Sequence, residues 1–279
     1  MYTADGTIHP IINTMSHFAD NCVILHNSGT FDLICTNNHK VFAKPFDYLG
    51  NKGKKHWKPY GKYEVKDLGP KDYIELFKLP EGNISVPYDF AYLVGRYVGD
   101  GWDIRDNEGH CICCAFEETN ELSQYFNRAG IVYTINKNKT VDQYNIIQHE
   151  ANNKLHSILK HCGHLATRKR VPEEVFNWDK ESIGAFIDGY MAADGSIHSN
   201  GQYRINTVSY ELAEDIMLLL RTIGYTPTCY KNERGGKSTI LGREVNIHDR
   251  YEIYFYEEPE RARYVKYTQE DNKLWTSHL

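Results

Sequence analysis

The sequence predicts an α+β protein. It reads as two copies of one α/β unit, related by a pseudo-two-fold axis, behind a small, mainly β module. Three observations predict this. An apolar stretch ending in Asp-Gly occurs twice, as Ala91–Gly101 and as Ala185–Gly195. A second block recurs at the same offset: Gly130, Thr134, Lys137 and Asn138 match Gly224, Thr228, Lys231 and Asn232 without a gap, which makes a duplicated unit the simplest account. Ahead of both copies, residues 1–86 are short β-prone runs broken by turn residues. The expected boundaries are therefore 1–86 for the β module, 87–180 for the first repeat and 181–279 for the second.

Within the first segment, Asn21–His26 and Thr30–Cys35 flank Asn27-Ser28-Gly29, a hairpin signal. A lysine-rich loop follows, in which Lys54, Lys55 and Lys58 alternate with Trp57 and Tyr60. That mixture suits a nucleic-acid backbone and equally suits a solvated surface loop. Pro87 can open a helix at its first turn. The first repeat then reads as a helix to Gly101, a strand over 110–116, a helix over 119–129 stopped by Gly130, strands over 131–136 and 143–148, and a helix over 151–162. The second repeat reads as a helix over 185–195, a helix over 211–223, a hairpin with Arg234, Lys237 and Arg243 at or near its tips, and a closing strand over 251–256.

Small residues recur at Ala91, Gly95 and Gly99, and again at Ala185, Gly189 and Ala193. This i, i+4, i+8 spacing lays one flat stripe on each helix, along which two helices can approach closely. Packed stripe to stripe, they bring Asp100 and Asp194 together at the bottom of the pair. Two carboxylates held close without a basic partner between them repel, and a divalent cation relieves this.

The composition bounds the function. With 41% hydrophobic residues in 279, the chain has material for a core. No run approaches the roughly 20 apolar residues of a membrane span, and Met1-Tyr2-Thr3-Ala4-Asp5 has no secretory n-region or h-region. Seven cysteines, an odd count, predict reduced and mostly buried thiols in a cytoplasmic protein. His161 and His164 flank Cys162, but without a second ligand pair the group does not read as a zinc site. The net charge of -5 is unfavourable for a polyanion ligand unless basic groups gather locally.

The two Asp-Gly stretches resemble the paired motifs of LAGLIDADG homing endonucleases, with Leu93–Gly101 and Ile187–Gly195 on the nine motif positions. The resemblance covers roughly residues 87–270. Thr36-Asn37-Asn38-His39 after the hairpin resembles the Thr-x-x-His block of the Hint fold found in inteins. Together these place the chain nearest the endonucleases carried by inteins. The resemblance implies two repeats whose sheets form a DNA-binding saddle. It implies a monomer, with no protein partner and no membrane, that cuts a long double-stranded target with short 3' overhangs. It implies that Asp100 and Asp194, with the Gly99 and Ala193 backbone beside them, hold Mg2+ (with Mn2+ as a substitute). It implies a catalytic lysine at Lys169 of Lys169-Arg170-Val171-Pro172, and a second from among Lys237, Lys266 and Lys273. DNA contacts are expected from Lys54, Lys55, Lys58, Lys137, Asn138, Lys139, Lys231, Asn232, Arg234, Lys237 and Arg243. The competing readings are an inactive DNA-binding regulator, an RNA maturase and a protein-splicing element.

Overall fold

Two four-stranded sheets of identical order carry the resemblance between the halves. The computed structural model describes residues 9–46, 57–104, 109–233, 235–240, 243–258, 265–268 and 273–277. For 238–240, 243, 245, 246, 265–268 and 273–277 it describes the backbone path alone. Strands β1 (Cys22–Leu25) and β2 (Leu33–Thr36) form an antiparallel hairpin, with Leu25 opposite Leu33. β3 (Lys40–Lys44), β4 (Gly61–Glu64) and β5 (Tyr73–Leu76) follow. The first repeat comprises helix α1 (Tyr88–Asp100), β6 (Gly101–Ile104), β7 (Gly109–Cys114), α2 (Thr119–Arg128), β8 (Tyr133–Lys137), β9 (Asp142–Ile146) and α3 (Asn153–Leu159). The second comprises α4 (Lys180–Asp194), β10 (Gly195–Ile197), β11 (Tyr203–Thr207), α5 (Tyr210–Thr222), β12 (Thr228–Asn232), the hairpin β13 (Gly236–Ile240) and β14 (Arg243–Ile247), and β15 (Arg250–Phe255). β16 (Val265–Thr268) and β17 (Lys273–Ser277) end the chain.

The sheets run β6-β7-β9-β8 and β10-β11-β15-β12, all antiparallel. Both begin at the glycine of an Asp-Gly, where the helix gives way to extended backbone. The strands β6, β10 and β11 lie outside the sequence expectation. β6 and β10 are short runs fused directly to a helix, so no turn residue separates them from it. The third helix of the first repeat is shorter than predicted, because a 3-10 turn over Glu150–Asn152 takes its first residues.

Sheet faces alternate in period 2. Ile112, Cys114, Tyr144 and Ile146 of the first sheet, and Ile205, Cys229, Ile253 and Phe255 of the second, turn toward the helices. They join α1, α2, α4 and α5 in one core spanning both repeats. Cys111 and Cys114 have C-x-x-C spacing but fall on opposite faces of β7, so they do not form a ligand pair. All seven cysteines are free thiols.

The last strands tie the end of the chain to its beginning. β17 pairs with β5, and the sheet order β16-β17-β5-β3-β4 makes residues 265–277 part of the N-terminal module. Register, which no local pattern encodes, thus joins the end of the 181–279 segment to the sheet of the first. The N-terminal hairpin in turn docks on the second repeat. Gly29 O accepts the Cys229 amide at 2.9 Å, on the open edge of β12. Arg221 Nη2 donates to Thr30 Oγ1 at 2.8 Å, and Phe31 meets Tyr210 edge-on at 4.9 Å. An edge strand that would otherwise offer bare amides is thus partly covered.

Candidate active site

The stripe residues make the central contact. A methyl group added at Gly95 would overlap the Phe186 carbonyl, and one at Gly189 would overlap the Tyr92 carbonyl. At Gly99 it would strike the Ala193 side chain. Ala91 and Ala185 are fully buried in the same seam. The upper end is pinned by Ser182, whose Oγ donates to Val86 O at 3.1 Å and accepts the Val86 amide at 2.9 Å. Asp179 caps α4 by accepting the Ser182 amide at 2.9 Å. Glycine here serves backbone-to-backbone approach, which larger side chains forbid.

Asp100 and Asp194 are the last residues of α1 and α4. The C-terminal end of a helix carries partial negative charge and is unfavourable to a carboxylate. Cations compensate, and they correct the expectation of two acids with no basic partner. Arg96, one turn before Asp100 and with its side chain only 4% exposed, places Nη2 3.1 Å from Asp100 Oδ2. The same guanidinium also donates to Glu118 and to the Ala192 carbonyl. Lys169 Nζ donates to the Gly99 carbonyl, so one of the two backbone groups expected near a metal already faces a cation.

Burial pushes the Asp100 carboxyl up from its ordinary value; Arg96 and Lys169 oppose this, and Asp194 adds to it. Burial likewise pushes Asp194 up, against Lys169 and Arg96. Lys169 is pushed down by burial, with Asp194 and then Asp100 opposing. The three groups are electrostatically coupled, as members of one site are.

Lys169 is aimed by its main chain. The Arg170 amide donates to Cys162 O at 2.9 Å. Ser209 Oγ donates to Lys169 O at 2.6 Å, and the Val171 amide donates to Asp215 Oδ2 at 3.0 Å. The preceding turn uses Gly163 at φ +81, where an added methyl would overlap the Arg168 carbonyl.

The expected DNA contacts divide. Lys137, Asn138 and Lys139 stand at the β8–β9 turn, where the Asn138 amide donates to Val141 O at 3.1 Å. Lys231 differs from expectation: it lies on the helix-facing side of β12, ion-paired to Asp249 at 3.0 Å and Glu233 at 3.3 Å. It lines a cleft of about 590 Å3 against the N-terminal hairpin. Asn232 donates to Glu252 at 3.1 Å. Lys237 pairs with Glu244 across its own hairpin at 2.5 Å. Lys58 is exposed. Lys54, Lys55 and Arg234 lie outside the described residues, as do the side chains of Arg243, Lys266 and Lys273. The aromatic residues of the lysine-rich loop rest on neighbouring rings: Trp57 lies 4.9 Å from Tyr73, and Tyr60, itself exposed, stacks at 5.6 Å on Phe42. His161 pairs with Glu174, and His164 with Asp103. Among the described residues no group of three His, Cys, Asp or Glu could hold a metal, and no helix is long and apolar enough to cross a membrane.

Sequence reasoning missed Arg96 and the outer face of the second sheet. A charged residue inside an apolar helix was the available signal for the first. The alternation Arg250-x-Glu252-x-Tyr254 was the signal for the second.

Comparison with known proteins bears on this geometry. Residues 181–274 match the model of the LAGLIDADG-like domain. An uncharacterized protein of Methanocaldococcus jannaschii is 27% identical over 257 residues, covering 81% of this chain and 27% of its own length. A DNA polymerase of Thermococcus kodakarensis is 36% identical over 84 residues, 30% of this chain and 5% of the polymerase. The ribonucleoside-diphosphate reductase NrdEB subunit alpha of Bacillus subtilis is 27% identical over 190 residues, 57% of this chain and 16% of the subunit. The chain thus spans about a quarter or less of the length of these relatives. The solved structure of I-DmoI in complex with DNA and Mn has 17% identity and a TM-score of 0.41, covering 60% of this chain and 89% of that one. Residues 181–274 thus match a LAGLIDADG-like domain, and residues 88–146 repeat its helix-and-sheet order.

Proposed function

We propose that this chain is a site-specific, divalent-metal-dependent endonuclease acting on double-stranded DNA. The observation that carries the reading is the convergence of Asp100, Asp194 and Lys169 at the foot of the glycine-lined helix pair. The outer faces of the two sheets, one per repeat, supply the saddle for the duplex. The relatives add support: similar segments occupy small parts of enzymes named as a DNA polymerase and a ribonucleoside-diphosphate reductase subunit. A segment shared by hosts of unrelated activity behaves as a mobile insert, and a double-strand break is the chemistry that spreads one.

The residues fit Mg2+. It takes hard oxygen donors and is commonly held by one or two carboxylates, with waters and substrate phosphates completing the shell. Asp100 and Asp194 provide those carboxylates, so the absence of a larger ligand cluster among the described residues is no obstacle. When bound, the ion acidifies a water and screens charge on the phosphate. The protein's own part is distinct. Lys169 stands beside both acids as an ammonium able to meet negative charge developing on the scissile phosphate. Arg96 holds Asp100 in place and offsets the charge that α1's end disfavours. The helix seam fixes the spacing of the two halves.

One observation favours a second reading, a DNA-binding protein that does not cut: Arg96 already neutralises Asp100. Incubation with a library of duplexes carrying a long randomised core, read for retention and for strand cleavage, separates the two. Mg2+-dependent double-strand cleavage, lost in Asp100→Asn and Asp194→Asn, supports the nuclease. Tight binding without nicking in Mg2+ or Mn2+ supports the regulator. Full cleavage by both variants sinks the proposed site.

A further inference from the structure

The outer faces of the two sheets have the same backbone and opposite chemistry. Across the first sheet, Thr134 stands opposite Asn145 and Asn136 opposite Gln143. Gln143 Nε2 donates to Asn145 Oδ1 at 2.7 Å. This patch is neutral and built of amides and a hydroxyl. The second sheet has Tyr230 opposite Glu252 on the corresponding strands, so Glu252 occupies the place that Gln143 has in the first.

Glu252 gathers four donors. Its Oε1 accepts from Arg204 Nη2 at 2.9 Å, from Asn232 Nδ2 at 3.1 Å and from Arg250 Nη2. Its Oε2 accepts from Tyr254 OH at 2.7 Å. Burial pushes the Glu252 carboxyl up, but the hydrogen bonds from Tyr254, Arg250 and Asn232 and the charge of Arg204 outweigh this and hold it at about 2. Each guanidinium gives only one nitrogen to the carboxylate, and neither Nε has a hydrogen-bond partner. Arg204 also lies over the Tyr254 ring at 5.8 Å. Asn206, opposite Glu252 on β11, leaves its Oδ1 unpartnered as well. Two cations, whose side chains are 25% and 28% exposed, are thus fixed in orientation.

Fixed guanidiniums match the N7 and O6 acceptors of guanine; side-chain amides match the N6 and N7 edge of adenine. We infer that Glu252 is a positioning residue that presents Arg204 and Arg250 to bases, so that the second repeat selects guanine in its half of the target while the amide-lined first repeat selects adenine. The carboxylate supplies what two like charges on one sheet need, a common counter-ion that locks both rotamers before DNA arrives. This inference rests on the DNA-binding reading above.

The test is selection of duplexes with a long randomised core by binding to the full chain, with Ca2+ in place of Mg2+ to keep bound DNA intact. The expected product is an asymmetric motif, with guanines in one half and adenines in the other. Arg204→Lys retains charge but loses the fork. It is expected to cut guanine preference at one position about 5- to 150-fold and leave the adenine half unchanged. Glu252→Gln, with a melting curve to confirm its fold, is expected to loosen guanine preference at both positions of that half only. A motif of equal composition in both halves overturns the inference, as does a Glu252→Gln motif unchanged or loosened equally in both halves. If no duplex is retained at all, the DNA-binding reading itself falls, and the inference with it.

Discussion

The first and second repeats share a backbone plan down to strand order, yet they use it differently. At the motif position one turn before the terminal acid, the first repeat has Arg96 and the second Tyr190. Arg96 reaches out of α1 to Asp100, Glu118 and α4; Tyr190 is fully buried, and burial pushes its hydroxyl up. The outer sheet face is neutral in one half and carries the Glu252 cluster in the other. The N-terminal hairpin rests on the edge of β12 in the second half. Duplication thus preserved what the seam between the halves requires, small residues and a closing acid. It released the side chains that face outward.

The largest effect should strike both halves alike. Gly95→Val and Gly189→Val each drive a side chain into a carbonyl of the opposite helix, and each is expected to cost more than about 3 kcal/mol in urea unfolding. If one were tolerated, the symmetry of the seam would fail. The next effect should be one-sided. Arg96→Met unpairs Asp100 and the partly exposed Glu118 and uncovers the Ala192 carbonyl, at an expected cost of about 2 kcal/mol. Tyr190→Phe at the matching position is expected to cost under about 1 kcal/mol. Similar losses would show that the two positions serve one structural role.

Lys169→Met should lower cleavage about 100-fold while leaving retention of duplex DNA nearly unchanged. Cleavage by the parent protein should rise with pH as Asp100 and Asp194 ionise, above the usual carboxylate range, and fall as Lys169 loses its proton, below the usual lysine range. A rate profile flat across both limits would remove the coupled site from the mechanism. The smallest effect concerns support for that lysine. Burial pushes Asp215 up to about 6, against the hydrogen bond from Val171. A raised carboxylate contributes stability that is present below its unfolded value and lost as pH passes 6. Asp215→Asn should therefore stabilise the chain by about 1 kcal/mol at pH 8 and leave it unchanged near pH 3. Equal effects at both pH values would refute this.

The seam was legible in the sequence because close helix approach has a local signature, small residues four apart, and because a second copy repeated it. The terminal acids followed from their attachment to that pattern, and Lys169 was suggested only by the family resemblance of Lys169-Arg170-Val171-Pro172. Arg96 was hidden by the same pattern: only the packed pair shows that its guanidinium bridges Asp100, Glu118 and the other helix. Lys231 looked like a DNA contact because it recurs with Lys137 in the repeat. A strand's inner and outer faces are fixed by register, and register placed Lys231 beside Asp249. The Glu252 cluster draws Arg204, Asn232 and Arg250 from three strands, so no single stretch of sequence displays it.

The pairing of β17 with β5 also governs how the chain must fold. Leu76 lies opposite Leu274, so roughly 200 residues intervene between neighbouring strands, and closing that loop is a late event. During synthesis, β5 emerges early and waits for its partner while both repeats take shape. Its unmatched edge is open to association with other chains throughout that interval. Removing residues 265–277 would therefore leave the repeats' shared core largely intact but make the wait permanent, and the expected cost is aggregation through the N-terminal sheet.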